Sequence, residues 1–297
     1  MAVPRAATEV TLRRRCTLPR VLSVGIAWAG HPLDCYTRNM HKSQVLTAIL
    51  VLAAALLPGC TPPAASRPDR ARATVSSRHA PRILVFTRTT GYRHASIPVG
   101  VQTLRELAQA EGIALTRSED PALFDDASLA RFDAVVFLST TGDVLDDAQQ
   151  AAFERYVGKG GGYMGVHAAA DTEYDWPWYG RLVGAWFDSH PQGLQTTRVR
   201  FEGDAAALAQ DWQVTDELYN YRRDPRGTVE VIATVDESRY QGGKMGTDHP
   251  IAWCHTRLGG RAWYTGLGHD AALYADPIYR AHLLRGLRYV TGRADVC

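Results

Sequence analysis

The stretch GGGYMGVHAAAD, residues 160–171, decides the fold. Three glycines lead into a short apolar run, Tyr163 to Val166; a histidine follows among alanines, then an aspartate. This order resembles a nucleophile elbow, where a tight strand-to-helix turn lifts one side chain out of a sheet. Gly165, two residues earlier, and the small Ala168 and Ala169 just after fit such a turn sterically. The lifted residue is His167, neither serine nor cysteine. At neutral pH an imidazole is a base, an acid or a metal ligand. It is a poor candidate for a lasting acyl intermediate, and the competing assignment is a satisfied core histidine capping the following helix.

Outward from this stretch, strand and helix patterns alternate. RILVF (82–86) and DAVVFLS (133–139) are continuous apolar runs, as expected of strands covered on both faces. Apolar residues at 101, 104, 107 and 108 predict a helix over 99–110, and residues 113–116 a short strand. Residues 146–157 read as a helix with Asp146 as N-cap and Gly158 near its end. TTRVRF (196–201), VEVIATV (229–235), IAWCH (251–255) and RAWYTGL (261–267) are strand patterns. A last helix covers 277–290, with Ile278, His282, Leu283, Leu287 and Val290 inward. The pattern predicts an α/β fold, a doubly wound, mostly parallel sheet with an added antiparallel portion after residue 195. Residues 82–297 suit one domain.

The first 81 residues read differently. Residues 1–39 are Arg-rich without clear periodicity and are expected to be an upstream extension outside the native protein. Met40 opens a secretory signal pattern: Lys42, then an apolar region of 13 residues from Val45 to Leu57, too short to cross a bilayer with ease. Leu57-Pro58-Gly59-Cys60 resembles a bacterial lipobox, which implies cleavage before Cys60 and lipidation of its sulfur. A plain signal anchor with a chance cysteine is the alternative. A twin-arginine signal at Arg13 to Arg15 lacks a clean apolar region after it. Residues 61–81 are rich in Pro, Ala, Ser and Arg, as in a flexible tether. The expectation is an exported lipoprotein, held to a membrane through Cys60 and facing the periplasm. Seven of 33 basic and two of 31 acidic residues precede Cys60, so the remainder carries a net −3, with no footprint for nucleic acid. Cys254 and Cys297 could pair in an oxidising compartment; two free thiols fit equally well.

In open α/β sheets, ligands sit beyond the carboxyl ends of the strands. Tyr92, Arg93 and His94 follow the first strand, Thr140 the next, His167 and Asp171 the elbow strand, and His269 the run that ends at Leu267. His190, before Pro191, and His249, before a strand, are further candidates; His255 and His282 look structural. Imidazoles suit zinc, but no HxxxH or HxH pair exists among these histidines. A divalent metal on His94, His167, His190 and His269 therefore stays open, since the site would assemble from distant segments. No organic cofactor is expected. DTEYDWPWYGRL (171–182) and DELYNY (216–221), the latter with Glu217 and Tyr219, place acids beside aromatics, as sugar sites do.

FTRTTGYRHASI (86–97), GGGYMGVHAAADT (160–172), VGAWFDSHP (183–191), DELYNY (216–221), DHPIAW (248–253) and GGRAWYTGLGHD (259–270) together resemble the ThuA-like family, named for trehalose utilisation. They occur in the family's order over nearly the whole domain. The resemblance implies a class I glutamine amidotransferase-like, flavodoxin-like fold and a role in disaccharide or keto-sugar catabolism. Those amidotransferases place a nucleophilic cysteine at the elbow. Here His167 stands there and Cys254 lies in another strand, so a thioester glutaminase is not expected. The expected function is a sugar-processing enzyme of the isomerase, lyase or hydrolase class. His167 would act as acid or base oriented by Asp171, with His94 and His269 polarising the substrate. Tyr92, Arg93, Thr140, His190, Glu217, Tyr219 and His249 would bind a small sugar. The alternative is a non-catalytic sugar-binding lipoprotein. Oligomeric state is not legible.

Overall fold

In a computed structural model, residues 80–297 are described. The upstream extension, the signal pattern with Cys60 and nearly all of the tether lie outside the described residues.

A nine-stranded sheet organises the domain. Its parallel block is β2 (Ala114–Ser118), β1 (Arg82–Phe86), β3 (Ala134–Leu138), β4 (Gly162–Val166) and β11 (Ala262–Thr265), in that spatial order. The order continues antiparallel through β10 (Pro250–His255), β9 (Glu230–Val235), β6 (Gln195–Phe201) and β7 (Trp212–Asp216). The α/β fold with an added antiparallel portion is as the sequence predicts. The burial pattern follows from composition. β3 and β4 are buried at every position, as their apolar runs require. β6 alternates buried and exposed residues, the mark of a sheet covered on one face.

Helices pack on the parallel block. α1 (Ile97–Ala110) contacts α5 (Pro277–Val290), and α2 (Asp126–Leu129) contacts α3 (Asp147–Gly158). α3 starts where its chemistry says it should. Asp146 accepts from the Gln149 amide and the Gln149 side chain accepts in return from the Asp146 amide, a full capping box. In α5 the expected inward positions are buried, except that Ile278 is only partly so. α4 (Pro177–Val183) and a two-stranded ribbon, β5 (Phe187–Ser189) with β8 (Asn220–Tyr221), complete the fold. Cys254 of β10 is disulfide-bonded to Cys297, which ties the last residue to the sheet. Among the described residues no helix is long and apolar enough to cross a membrane.

One sequence expectation needs correction. After β4 the chain enters a 3-10 turn, His167–Ala170, and not an α-helix. Its first residue, His167, has φ +51°, a left-handed conformation that costs a non-glycine residue about 1–3 kcal/mol. The bend is tight because its neighbours leave no room. A Cβ on Gly165 would stand 3.0 Å from the Tyr264 ring and 3.2 Å from the Ala169 methyl.

Candidate functional site

The elbow places the His167 ring at the carboxyl end of the sheet, fully buried. Its Nδ1–H donates to the Gly266 carbonyl at 2.8 Å, which leaves the lone pair on Nε2. The sequence suggests Asp171 as the orienting partner, but Asp171 instead accepts from the Tyr174 hydroxyl at 2.7 Å. Gly266 follows β11, and β11 lies beside β4 in the sheet. The neighbouring strand's exit therefore sets the tautomer, a contact 99 residues away in the chain.

Around His167 stand His94, from the segment after β1, and His269, from the segment after β11. The three rings form a triangle, with centroids 4.8, 5.2 and 5.3 Å apart. Glu217 closes the cluster. Its Oε2 lies 3.5 Å from His167 Nε2 and 3.1 Å from His269 Nδ1, the latter outside hydrogen-bonding alignment. Its Oε1 lies 3.2 Å from His190 Nδ1, whose N–H donates to the Pro191 carbonyl at 2.7 Å. One ligand atom from each of His94, His167, Glu217 and His269 falls within 4.8 Å of all the others.

The electrostatics follow. Burial pushes the His94 imidazole down to about 3, assisted by repulsion from His167 and His269. It is thus neutral at physiological pH. Burial alone would raise the Glu217 carboxyl, but His167 and His269 more than offset it and hold it below the usual carboxylate range. The same contact raises His269. Burial pushes the Asp171 carboxyl up. Three buried ring nitrogens, His94 Nδ1, His167 Nε2 and His269 Nδ1, have no hydrogen-bond partner. An unpaired buried polar atom costs about 1–3 kcal/mol, so three facing one carboxylate mark a place built for something else. Three imidazoles and a carboxylate are the donor set of zinc-class cations, and the residues fit such an ion.

His94, Glu217 and His269 of the cluster line a cavity of about 390 Å³, while His167 is fully buried and outside its lining. Tyr92, Asp171, Phe187, His190 and Tyr219 complete the lining. Tyr92 is 65% exposed and meets His94 edge-on at the mouth, while the buried Tyr219 ring lies 4.3 Å from His167. The structure thus gathers eight of the sequence candidates: Tyr92, His94, His167, Asp171, His190, Glu217, Tyr219 and His269.

Three others are placed elsewhere. Arg93 turns to Glu119 at 2.8 Å and to the Thr87 carbonyl, because the carboxylate after β2 is its nearest counter-charge. Thr140 is fully buried, its hydroxyl bonded to that of Thr172 at 2.9 Å. His249 is fully buried behind Tyr219, donating to the Tyr219 carbonyl at 2.8 Å; its Nδ1 meets the Tyr240 hydroxyl and Glu237. None of the three lines the cavity. His255 and His282 are structural, as expected: the first bonds the Leu182 carbonyl and the second sits among Phe201, Trp263 and Tyr279. Two residues escape sequence reasoning. Phe187 is one aromatic among several, and nothing in its spacing marks it. Asp216 precedes Glu217 at the end of β7, a strand-end position that the same rule could have flagged.

Comparison with known proteins agrees with this architecture. The trehalose-utilisation family model, ThuA, matches residues 82–290. A ThuA-like protein of Bacteroides uniformis superposes with TM-score 0.61 at 22% identity, covering 71% of this chain and 92% of that one. One from Parabacteroides merdae gives 0.58 at 20% identity, covering 71% and 90%. At those identities the likeness shows the fold. A search of curated proteins returns no match. With the family model spanning the whole sheet and every segment that builds the cavity, this chain belongs to the ThuA trehalose-utilisation family and so to carbohydrate metabolism.

Proposed function

We propose that the protein is a sugar-processing enzyme that acts on an oxidised, keto form of a glycoside through a metal-assisted acid–base site. The observation that carries this reading is the convergence of three unpartnered buried imidazole nitrogens on Glu217, in the wall of a sugar-sized cavity. His94, His167, Glu217 and His269 would hold a zinc-class cation. When bound, such an ion supplies a Lewis acid for a substrate carbonyl.

The remaining roles fall to residues that face the cavity. His190 is half-exposed, and its Nδ1–H is committed to Pro191, so Nε2 carries the lone pair. It is the base that removes a proton from the carbon next to the ketone. Asp171 is half-buried, with its carboxyl raised by burial, and it can deliver a proton. In a β-elimination the C–H bond between ketone and anomeric carbon breaks and its electron pair forms a C=C bond. The glycosidic C–O bond then breaks, and the leaving oxygen takes the proton from Asp171. Tyr92, Phe187 and Tyr219 offer aromatic faces to the sugar. His167, which the sequence suggests as acid or base, serves in this reading as a ligand, because its free nitrogen is buried against Glu217.

The disulfide supports an oxidising compartment. With the signal pattern and Cys60, we place the protein at a membrane surface facing the periplasm. The test combines elemental analysis of the purified protein with product analysis on a panel of oxidised disaccharides. A stoichiometric zinc-class metal and a cleaved product are expected, and His190→Ala should keep the metal while turnover falls by ~10²–10⁴-fold. Binding of sugars without any product would instead favour a non-catalytic sugar-binding lipoprotein. Unchanged turnover by His190→Ala would remove the proposed base.

A further inference from the structure

Asp216 is fully buried at the end of β7, next in the chain to Glu217. Its Oδ2 accepts from the Gly268 amide at 2.6 Å and its Oδ1 from the Asp270 amide at 2.8 Å. These two amides flank His269. The carbonyls of the same loop before His269 are held as well. His167 donates to Gly266, Tyr279 to Leu267 at 2.8 Å, and Ser96 at 2.9 Å with Tyr274 at 3.2 Å to Gly268. Gly268 itself sits at φ +126°, where only glycine is comfortable, with the Tyr279 and Tyr274 hydroxyls where a Cβ would intrude.

We infer that Asp216 is a positioning residue: its two oxygens clamp the backbone on either side of His269 and so aim that imidazole at Glu217. The inference rests on the cluster described under Proposed function but concerns a residue that does not line the cavity. The reason is geometric. A carboxylate can accept at both oxygens, whereas an asparagine has one acceptor and must turn its NH₂ toward the other amide. Because Asp216 and Glu217 are consecutive, one short segment sets both halves of the His269–Glu217 contact. Ligand orientation by such outer partners is commonly worth ~10–100-fold in metal affinity.

The experiment uses the full chain, stripped with a chelator and titrated with Co²⁺, alongside amide hydrogen exchange resolved at Gly268 and Asp270. Asp216→Asn should speed exchange at both amides and weaken Co²⁺ binding by ~10–100-fold. In a His269→Ala background the same substitution should cost no further Co²⁺ affinity, because the residue it aims is gone. Equal losses in both backgrounds would indicate a general structural role and overturn the inference. So would unchanged exchange at the two amides. If the unmodified chain binds no Co²⁺, the metal reading fails, while exchange at Gly268 and Asp270 still decides whether Asp216 holds the loop. Should Asp216→Asn not fold, Asp216→Glu, with its longer stem, carries the same readouts and the same expected directions.

Discussion

Two groups of histidines in this molecule, buried except for the half-buried His269, differ in what surrounds them. His94, His167 and His269 sit at the carboxyl ends of parallel strands, each with a ring nitrogen lacking a partner, all facing one carboxylate in a cavity wall. His282 also lacks partners at both nitrogens, but it lies in α5 with aromatic rings around it. His255 is buried and satisfied by a main-chain carbonyl. The contrast teaches that an orphaned polar atom is not by itself a site. A site needs convergence, a counter-charge and access, and only the first group has all three.

The sharpest way to break the comparison is to delete one member from each group. On the proposed function, His167→Ala should abolish metal binding and cut turnover of an oxidised disaccharide by ~10²–10⁴-fold. His282→Leu should leave metal content and turnover where they were. Metal retention by His167→Ala at the wild-type level would erase the distinction.

A smaller effect is read by pH at His282, whose depression His94 shares. Burial, with repulsion from Arg285, lowers His282 from 6.5 to about 3. Its folded pKa is depressed, so between these limits the unfolded chain binds a proton that the folded chain refuses. This neutral histidine costs no stability above about pH 6.5, and its cost grows as pH falls, by about 1.4 kcal/mol per unit. His282→Leu should therefore gain about 2 kcal/mol over wild type in going from pH 8 to pH 5, read from denaturant melts at both pH values. An identical wild-type-to-variant difference at the two pH values would mean that His282 titrates normally. The smallest effect belongs to the satisfied member. His255→Gln should change stability by less than about 1.5 kcal/mol, the worth of its bond to Leu182, with no change in metal content.

The same contrast explains what could be read early. A histidine in α5 at an inward helical position, and one at the end of an apolar strand beside Cys254, announce themselves as structural by periodicity alone. The strand-end rule likewise singles out His94, His167 and His269. It misplaces Arg93, because the rule locates a residue and does not aim its side chain; Glu119, after the neighbouring strand, draws the guanidinium away. His249 misleads for the opposite reason. It precedes a strand, and its ring is taken up behind Tyr219 by three neighbours from two segments.

The sequence by itself determined eight of the nine strands of the large sheet, the three long helices, the sharp bend at His167 and the residue types available for chemistry, because burial periodicity and turn sterics are local properties of the chain. Tertiary structure alone decided that β11 lies beside β4, so that Gly266 fixes the His167 tautomer and His269 meets His167. It alone brought Glu217, from the far edge of the sheet, into the midst of the imidazoles, and placed Asp216 under the His269 loop. Strand order and side-chain direction are settled by packing between segments about a hundred residues apart, and nothing in the local spacing of a chain encodes them.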